Sequence, residues 1–329
     1  MKAMILAAGL GTRLFPLTAR VSKMALSLAG VPVLVRVFRF LRDCGIDEFV
    51  VNLHHAPDTV KSCLSKYGER AVFSFEDNIL GTAGGLFNAG DNFSDGTFLM
   101  INGDCCYDGC SLAEALEFHR MRKAMATMVL VDMPAGENYG VVELDSDGRL
   151  LNIAGRPGKN SDSASRSLHF TGIHILEPEI LTELSPGFSD INRDVYPRLI
   201  QEGYPLFGFH THFQWFDLGT PRRFLEAAFS LLETDETGKA ASGMLIGENC
   251  RIDSSAHLEG PLEIGADSVI ASGSKVRRSV LGSGVSIEPD AVVEECFLGN
   301  GVEIEAGSTM SRCAAAVVDE HLEIRQWDK

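Results

Sequence analysis

The residues best suited to chemistry lie near the amino terminus. The stretch Leu6-Ala7-Ala8-Gly9-Leu10-Gly11-Thr12-Arg13 runs on through Pro16, Leu17 and Thr18 to Ser22 and Lys23. Gly9 and Gly11 let a backbone turn sharply and aim N–H groups at an anion. Arg13 and Lys23 supply charge-assisted donors for phosphate. Leu14 stands where a dinucleotide fingerprint wants its third glycine, and no G-x-x-x-x-G-K-[ST] occurs. The chemistry indicated is phosphate binding outside the dinucleotide and P-loop classes. His210 and His212 share one face of a strand, yet no Cys, Asp or Glu completes a tight set in the local sequence. Cys105, Cys106 and Cys110, with His119 beyond them, read as small core-filling thiols. No G-x-S-x-G nucleophile motif is present.

These groups need elements to hold them. Lys2–Ala7 reads as a strand and Val31–Asp43 as an amphipathic helix, with Val33, Leu34, Val37, Phe40 and Leu41 on one face. Gly45 suits the helix stop. A strand is expected at Glu48–Leu53, a helix at Pro57–Lys66, and strands at Val72–Phe75 and Thr97–Ile101. Ser111–Lys123 reads as a helix and Ala126–Val131 as a strand. Later strands fall at Gly140–Leu144, His169–Leu176 and Leu206–His212, with a closing helix at Pro221–Thr234. This order predicts an α/β fold with a Rossmann-like, mostly parallel sheet and helices on both faces. Asn102-Gly103-Asp104 then sits at the carboxyl end of a strand, the edge where such sheets bind ligands.

Beyond residue 243 the periodicity changes. Ile246, Ile252, Leu258, Ile264, Ile270 and Val276 recur every six residues. After a slip of one, Leu281, Ile287 and Val293 continue; after another, Leu298, Ile304 and Met310 follow. Glycine follows the aliphatic residue at Gly247, Gly265, Gly282 and Gly299. A six-residue period with small corner residues predicts a parallel β-helix of about four coils. The expected division is a catalytic domain over 1–235, a linker over 236–243, a β-helix over 244–318 and a tail over 319–329.

The run Gly-x-Gly-Thr-Arg-x-x-Pro-Leu-Thr followed by Lys23 resembles the signature of the sugar-1-phosphate nucleotidyltransferases. The overall layout is most similar to mannose-1-phosphate guanylyltransferase-like members with a short C-terminal left-handed parallel β-helix. The resemblance implies nucleotide binding by Ala7, Ala8, Gly9, Gly11, Thr12 and Arg13. It assigns Leu80-Gly81-Thr82-Ala83-Gly84-Gly85 to a second nucleotide loop, with Gly81 and Thr82 at the base. Glu76 falls where relatives read the base edge; a carboxylate suits guanine, uracil or thymine alike, and an acid at a strand end fits as well. Tyr139-Gly140 and Thr171-Gly172 match sugar-facing elements, and Arg156 matches a lysine that meets the sugar phosphate. Asp104, and Asp217 within Trp215-Phe-Asp217-Leu-Gly219-Thr220-Pro221, match the Mg²⁺ ligands, and a hard cation prefers such oxygens. The implied catalytic set is Arg13, Lys23 and Asp104. Two departures stand out. Gly155 replaces the family's Glu, and Ser22 replaces a Pro, which should loosen the loop presenting Lys23.

The implied reaction is attack of a sugar 1-phosphate oxygen on the α-phosphorus of an NTP, with pyrophosphate leaving. The nucleophile is already anionic, so no general base is required; positioning and charge neutralisation carry the reaction. GTP with mannose 1-phosphate is the expected pair. Glucose 1-phosphate with UTP or dTTP is the alternative, and a non-catalytic regulatory subunit or sugar-nucleotide sensor is the alternative from another class. The 329 residues carry 45 acids against 29 bases, a net charge of −16. That sign argues against nucleic acid or an anionic membrane as partner. It makes a polyphosphate site dependent on a few local cations and Mg²⁺. The eight cysteines are scattered without C-x-x-C, which fits a reduced, cytoplasmic protein. The β-helix is the expected surface for a homo-oligomer.

Overall fold

A computed structural model describes residues 1–134, 136–137, 139–156, 164–234 and 243–327. Pro157 and nearly all of the expected linker lie outside them. Its helices are α1 (Val33–Asp43), α2 (Pro57–Lys66), α3 (Gly81–Ala89), α4 (Ala113–Arg122), α5 (Tyr196–Glu202) and α6 (Pro221–Thr234). The chain packs as two compact units. The first comprises Met1–Gly9, Leu34–Pro57 and Leu64–Trp215; the second comprises Leu10–Val33, Asp58–Cys63 and Phe216–Lys329. Packing therefore does not follow the chain linearly: the segment with Arg13 and Lys23 belongs with the β-helix.

The first unit is built on a nine-stranded sheet. Its strands are β1 (Lys2–Leu6), β2 (Glu48–Leu53), β3 (Val72–Phe75), β4 (Phe98–Asn102), β5 (Ala126–Val131), β6 (Val141–Leu144), β7 (Leu150–Ile153), β8 (Arg166–Leu176) and β9 (Leu206–His210). The main order is β7-β6-β8-β4-β1-β2-β3, with β5 paired to both β8 and β9. The strands β4, β1, β2 and β3 are parallel, as are β5 and β9. Strand β5 is buried at all six positions, as a strand covered on both faces must be. The eleven-residue β8 begins three residues earlier than the sequence pattern suggests. Its first half pairs antiparallel with β6, and its second half with β4 and β5.

Two side chains in this core carry a pH consequence. Tyr196 Oη lies 2.9 Å from His174 Nδ1, and both residues are fully buried. Burial pushes the His174 imidazole down to about 3, so it stays neutral in the folded chain.

In the second unit, Val31–Pro32 extends and pairs with Ser27–Leu28 instead of starting the helix. A residue before proline is driven to extended backbone, so α1 begins only at Val33. The left-handed parallel β-helix has the expected three sides. Ile264, Ile270, Val276, Leu281, Ile287, Val293, Leu298 and Ile304 point inward and are buried. One coil advances 18 residues, pairing Ile246 with Ile264; the next ones advance 17, through Leu281 and Leu298 to Ala315. Each slip falls at a corner where Arg278, Glu295 or Arg312 takes a left-handed φ of 41°, 51° or 47°. The expected tail is also ordered: His321–Gln326 pairs antiparallel with Cys313–Val318.

A buried carboxylate joins the β-helix to the segment upstream of α1. Glu263, 4% exposed, accepts from the Ser27 hydroxyl and, at 3.1 Å, from the Gly30 N–H.

Two outcomes follow from these contacts. Glu263→Ala leaves two donors without their acceptor, at about 1–3 kcal/mol for each buried group, and hydrogen exchange should rise over residues 23–33. Stability should also fall as pH drops below about 6.5, the unfolded histidine value, because the unfolded chain then binds a proton that His174 refuses. Urea unfolding across pH 4–7 reads this slope of about 1.4 kcal/mol per unit for one such group, and His174→Gln should flatten it.

Candidate active site

In the first unit the carboxyl ends of β1, β2 and β4 gather polar groups. The Ala7 N–H donates to Asn52 Oδ1 at 2.6 Å. Asn52 Nδ2 donates to Glu76 Oε1 at 2.7 Å, and the Leu80 N–H donates to Glu76 Oε2 at 2.9 Å. His54 Nδ1 lies 2.8 Å from the Glu76 carbonyl. Glu76 is 5% exposed. It is therefore not an exposed acid at a strand end: its two oxygens tie β2 to the loop before α3. That loop is held in turn by residues 189–191. Ser189 O accepts from the Ala83 and Gly84 N–H groups, and the Thr82 hydroxyl donates to Asp190 and accepts from the Ile191 N–H. Gly81, at the start of α3, takes a φ of 72°.

Asp104 follows β4 and is half-buried. The Gly103 N–H donates to the Leu6 carbonyl, and Tyr107 Oη donates to the Asn102 carbonyl at 2.9 Å, which fixes the turn carrying Asp104. The Cys105 thiol lies 3.8 Å from Asp104 Oδ1. His119 sits apart from the cysteines, against Thr127 Oγ1 and Glu177 Oε1.

Of the expected sugar-facing residues, Tyr139 belongs to an aromatic cluster with His169 and Trp215. Tyr139 stacks with His169 at 4.5 Å and meets Trp215 edge-on at 5.6 Å. Trp215 Nε1 donates to the Thr171 carbonyl at 2.8 Å, and the Thr171 hydroxyl donates to the Val129 carbonyl. Gly140 precedes β6, and Gly172 sits at the register shift of β8. Arg156 is exposed and closes a turn with two bonds to Ile153. In that turn Gly155 has a φ of 81°. A left-handed φ favours glycine over glutamate, which accounts for the departure there. Hydrogen bonding from Arg193 chiefly holds Asp194 down to about 2, and the field of Arg156 adds a small part.

In the second unit Gly11 takes a φ of 66° and opens a short 3₁₀ turn, Thr12–Leu14. The Thr18 hydroxyl and the Leu14 N–H donate to its carbonyl at 2.9 and 2.8 Å. Ala8 is buried, whereas Gly9, Thr12 and Arg13 are exposed. The Arg13 guanidinium reaches Gly219: a Cβ built there would lie 2.6 Å from Arg13 Nη2 and 2.7 Å from Asp217 Oδ1. Any larger residue there would have to displace one of the two side chains. Asp217 Oδ2 accepts from Arg223 Nη1 at 2.7 Å. Asp217 thus meets Arg223 through Oδ2, while its Oδ1 and the Arg13 guanidinium both approach Gly219.

Lys23 is 4% exposed, so it lies beneath the loop surface and not on it. Ser22 does not loosen its segment. Its hydroxyl accepts from the Met24 N–H, and its own N–H donates to Thr59 Oγ1 at 3.0 Å, a bond proline could not make.

Sequence reasoning missed three of these residues. Asn52 is one polar residue in an apolar strand, and its position at the strand end was the available signal. Arg223 lies two residues after Pro221 on α6, six residues after Asp217 in the chain. Arg325 gave no local signal. It reaches the Gly9–Arg13 loop from the terminal hairpin, donating to the Thr12 carbonyl at 3.3 Å. Arg20 pairs with Asp319 of the same hairpin.

A nucleotidyl transferase family model matches residues 2–234. A GlmU-like C-terminal hexapeptide model matches residues 262–328, and a bacterial transferase hexapeptide model matches 243–278. A UTP–glucose-1-phosphate uridylyltransferase of Synechocystis sp. is 31% identical over 89% of this chain and 81% of its own length. A mannose-1-phosphate guanylyltransferase of Mycobacterium tuberculosis is 27% identical over 89% and 82%. Mannose-1-phosphate guanylyltransferase 1 of Arabidopsis thaliana is 28% identical over 89% and 84%.

The Asn52–Glu76 network makes a checkable demand. Glu76→Ala should destabilise the first unit by about 1–3 kcal/mol for each donor left buried. Hydrogen exchange at Leu80 should rise before global unfolding, and Glu76→Gln should restore part of the protection.

Proposed function

This chain belongs to the nucleotidyl transferase family, and from that premise we propose that it joins an NTP to a sugar 1-phosphate, giving an NDP-sugar and pyrophosphate. The observation that carries the reading is Arg13 and Asp217 both approaching Gly219. One group attracts polyphosphate and the other offers a hard oxygen. In the reaction a sugar phosphate oxygen bonds to the α-phosphorus while the bond to the bridging oxygen of pyrophosphate breaks. No proton need move, so no base is assigned. Arg13 and the amides of the Gly9–Thr12 loop hold the triphosphate, and Arg325 adds a cation from the terminal hairpin. Lys23 acts as a buried positive charge under the loop, and Arg156 meets the sugar phosphate. Tyr139 and Trp215, packed on the buried His169, offer flat apolar surface to the sugar ring. Glu76 is assigned as a positioning residue for the nucleotide loop, because both its oxygens already serve Asn52 and Leu80.

Asp104 and Asp217 are proposed as Mg²⁺ ligands. The donor set fits: both offer carboxylate oxygens, which Mg²⁺ takes in preference to nitrogen or sulfur, and Asp217 Oδ1 lies against Gly219. When bound, Mg²⁺ offsets phosphate charge. Arg223 holds Asp217 in place through Oδ2.

We assign GTP and mannose 1-phosphate as the preferred pair. The Synechocystis relative supports a second reading, UTP with glucose 1-phosphate. The eight free thiols suit a cytoplasmic protein, and no described helix is long and apolar enough to cross a membrane. The exposed Val317, Leu322 and Ile324 of the terminal hairpin offer an apolar surface for self-association.

Pyrophosphate release over a matrix of NTPs and sugar 1-phosphates tests the reading. We expect the highest kcat/KM with GTP and mannose 1-phosphate; a maximum with UTP and glucose 1-phosphate selects the second reading. Nucleotide binding without release for every pair would overturn the enzymatic one. Asp104→Ala and Asp217→Ala should each lower turnover by at least about 100-fold, the scale for lost transition-state charge stabilisation, and chelation should abolish it. Near wild-type rates in both variants would sink the metal assignment.

A further inference from the structure

One group of ligand-type side chains in the first unit takes no part in the proposed reaction. Strand β9 runs parallel to β5 with His210 opposite Leu130. Asp132, just beyond β5, and His210, the last residue of β9, therefore share one strand-end edge. The Thr211 N–H donates to the Leu130 carbonyl at 2.9 Å, which extends the pairing and returns His212 to the side of His210. The sequence offered no acid near the two histidines; the third member comes from a strand 80 residues away in the chain and adjacent in the sheet.

The distances are those of a coordination shell. His210 Nε2 lies 3.1 Å from Asp132 Oδ1, and His212 Nδ1 lies 3.4 Å from Asp132 Oδ2. One ligand atom from each residue falls within 4.8 Å of the others. Two ligands of a tetrahedral zinc ion, each at about 2.0–2.1 Å, stand about 3.3–3.4 Å apart. A second observation points the same way. His210 Nε2 is shielded from water and makes no hydrogen bond, so its approach to Asp132 has ion-pair distance without hydrogen-bond geometry. Asp132 and His212 are exposed, at 68% and 76% of their side chains, which leaves an entry path and room for a water ligand.

We propose that Asp132, His210 and His212 form a binding site for a divalent d-block cation, with Zn²⁺ as the type and water completing the shell. Two imidazoles and one carboxylate suit Zn²⁺, Co²⁺ or Ni²⁺, whereas Mg²⁺ and Ca²⁺ favour oxygen alone. The site is separate in chemistry from the carboxylates Asp104 and Asp217. Its effect is to clamp the ends of β5 and β9 and to steady the short segment leading to Trp215, whose indole is bonded to Thr171.

The test uses the full chain, stripped of metal and then titrated with Co²⁺ in excess Mg²⁺, which occupies sites made of oxygen alone. We expect one equivalent of Co²⁺ to bind with the visible absorption of a low-coordinate nitrogen–oxygen site, and Zn²⁺ to displace it. His212→Ala and Asp132→Ala change exposed side chains, and each should abolish the band while circular dichroism stays unchanged. Zn²⁺ should raise the Tm of the parent chain and not that of either variant. Absence of binding against Mg²⁺ would overturn the proposal and leave two His–Asp ion pairs. Binding that persists in both variants would overturn it equally, by placing the ion elsewhere.

Discussion

The buried carboxylate of Glu263 sets a constraint on which much of the second unit depends. A charge taken out of water must find donors, and Glu263 finds them in the Ser27 hydroxyl and the Gly30 N–H. Both lie in the segment that also carries Arg13 and Lys23. The second coil of the β-helix thereby becomes a support for that segment. The terminal hairpin acts on the same segment from a second point, through Arg325 on Thr12 and Asp319 on Arg20. Six-residue repeats are usually read as spacers or assembly surfaces. Here a strand of the β-helix and the terminal hairpin hold the segment upstream of α1 by polar contacts.

The first unit solves a different problem with the same economy of polar groups. Parallel strands end with free backbone donors, and the chain uses side chains to organise them. Asn52 links the Ala7 amide to Glu76, and Glu76 links Asn52 to Leu80. The three strand ends are thereby set at fixed heights. The Glu76 carboxylate, at 5% exposure, serves donors of its own chain, Asn52 Nδ2 and the Leu80 N–H. The aromatic cluster of Tyr139, His169 and Trp215 is positioned the same way, by the indole bond to Thr171.

Much of this was legible in the sequence. Apolar runs and helical spacing located the strands and helices to within a few residues, since burial on both faces demands such runs. The six-residue aliphatic spacing specified the β-helix, and its two slips marked the shorter coils. The glycine–arginine loop carried the resemblance to the nucleotidyl transferase family that the family model over residues 2–234 shows. Other features required the folded chain. Val31–Pro32 leaves the helix because Pro32 and its hairpin partner outweigh the apolar pattern. Ser22 anchors its segment because Thr59 happens to receive its N–H. The pairing of Asp217 with Arg223, the reach of Arg325 to Thr12, and the meeting of Asp132 with His210 and His212 join residues through space. Periodicity and motif report what each segment buries and which groups it carries. Which polar group meets which is decided by sheet order, coil register and the demand that buried charges be paired, and those exist only in the tertiary structure.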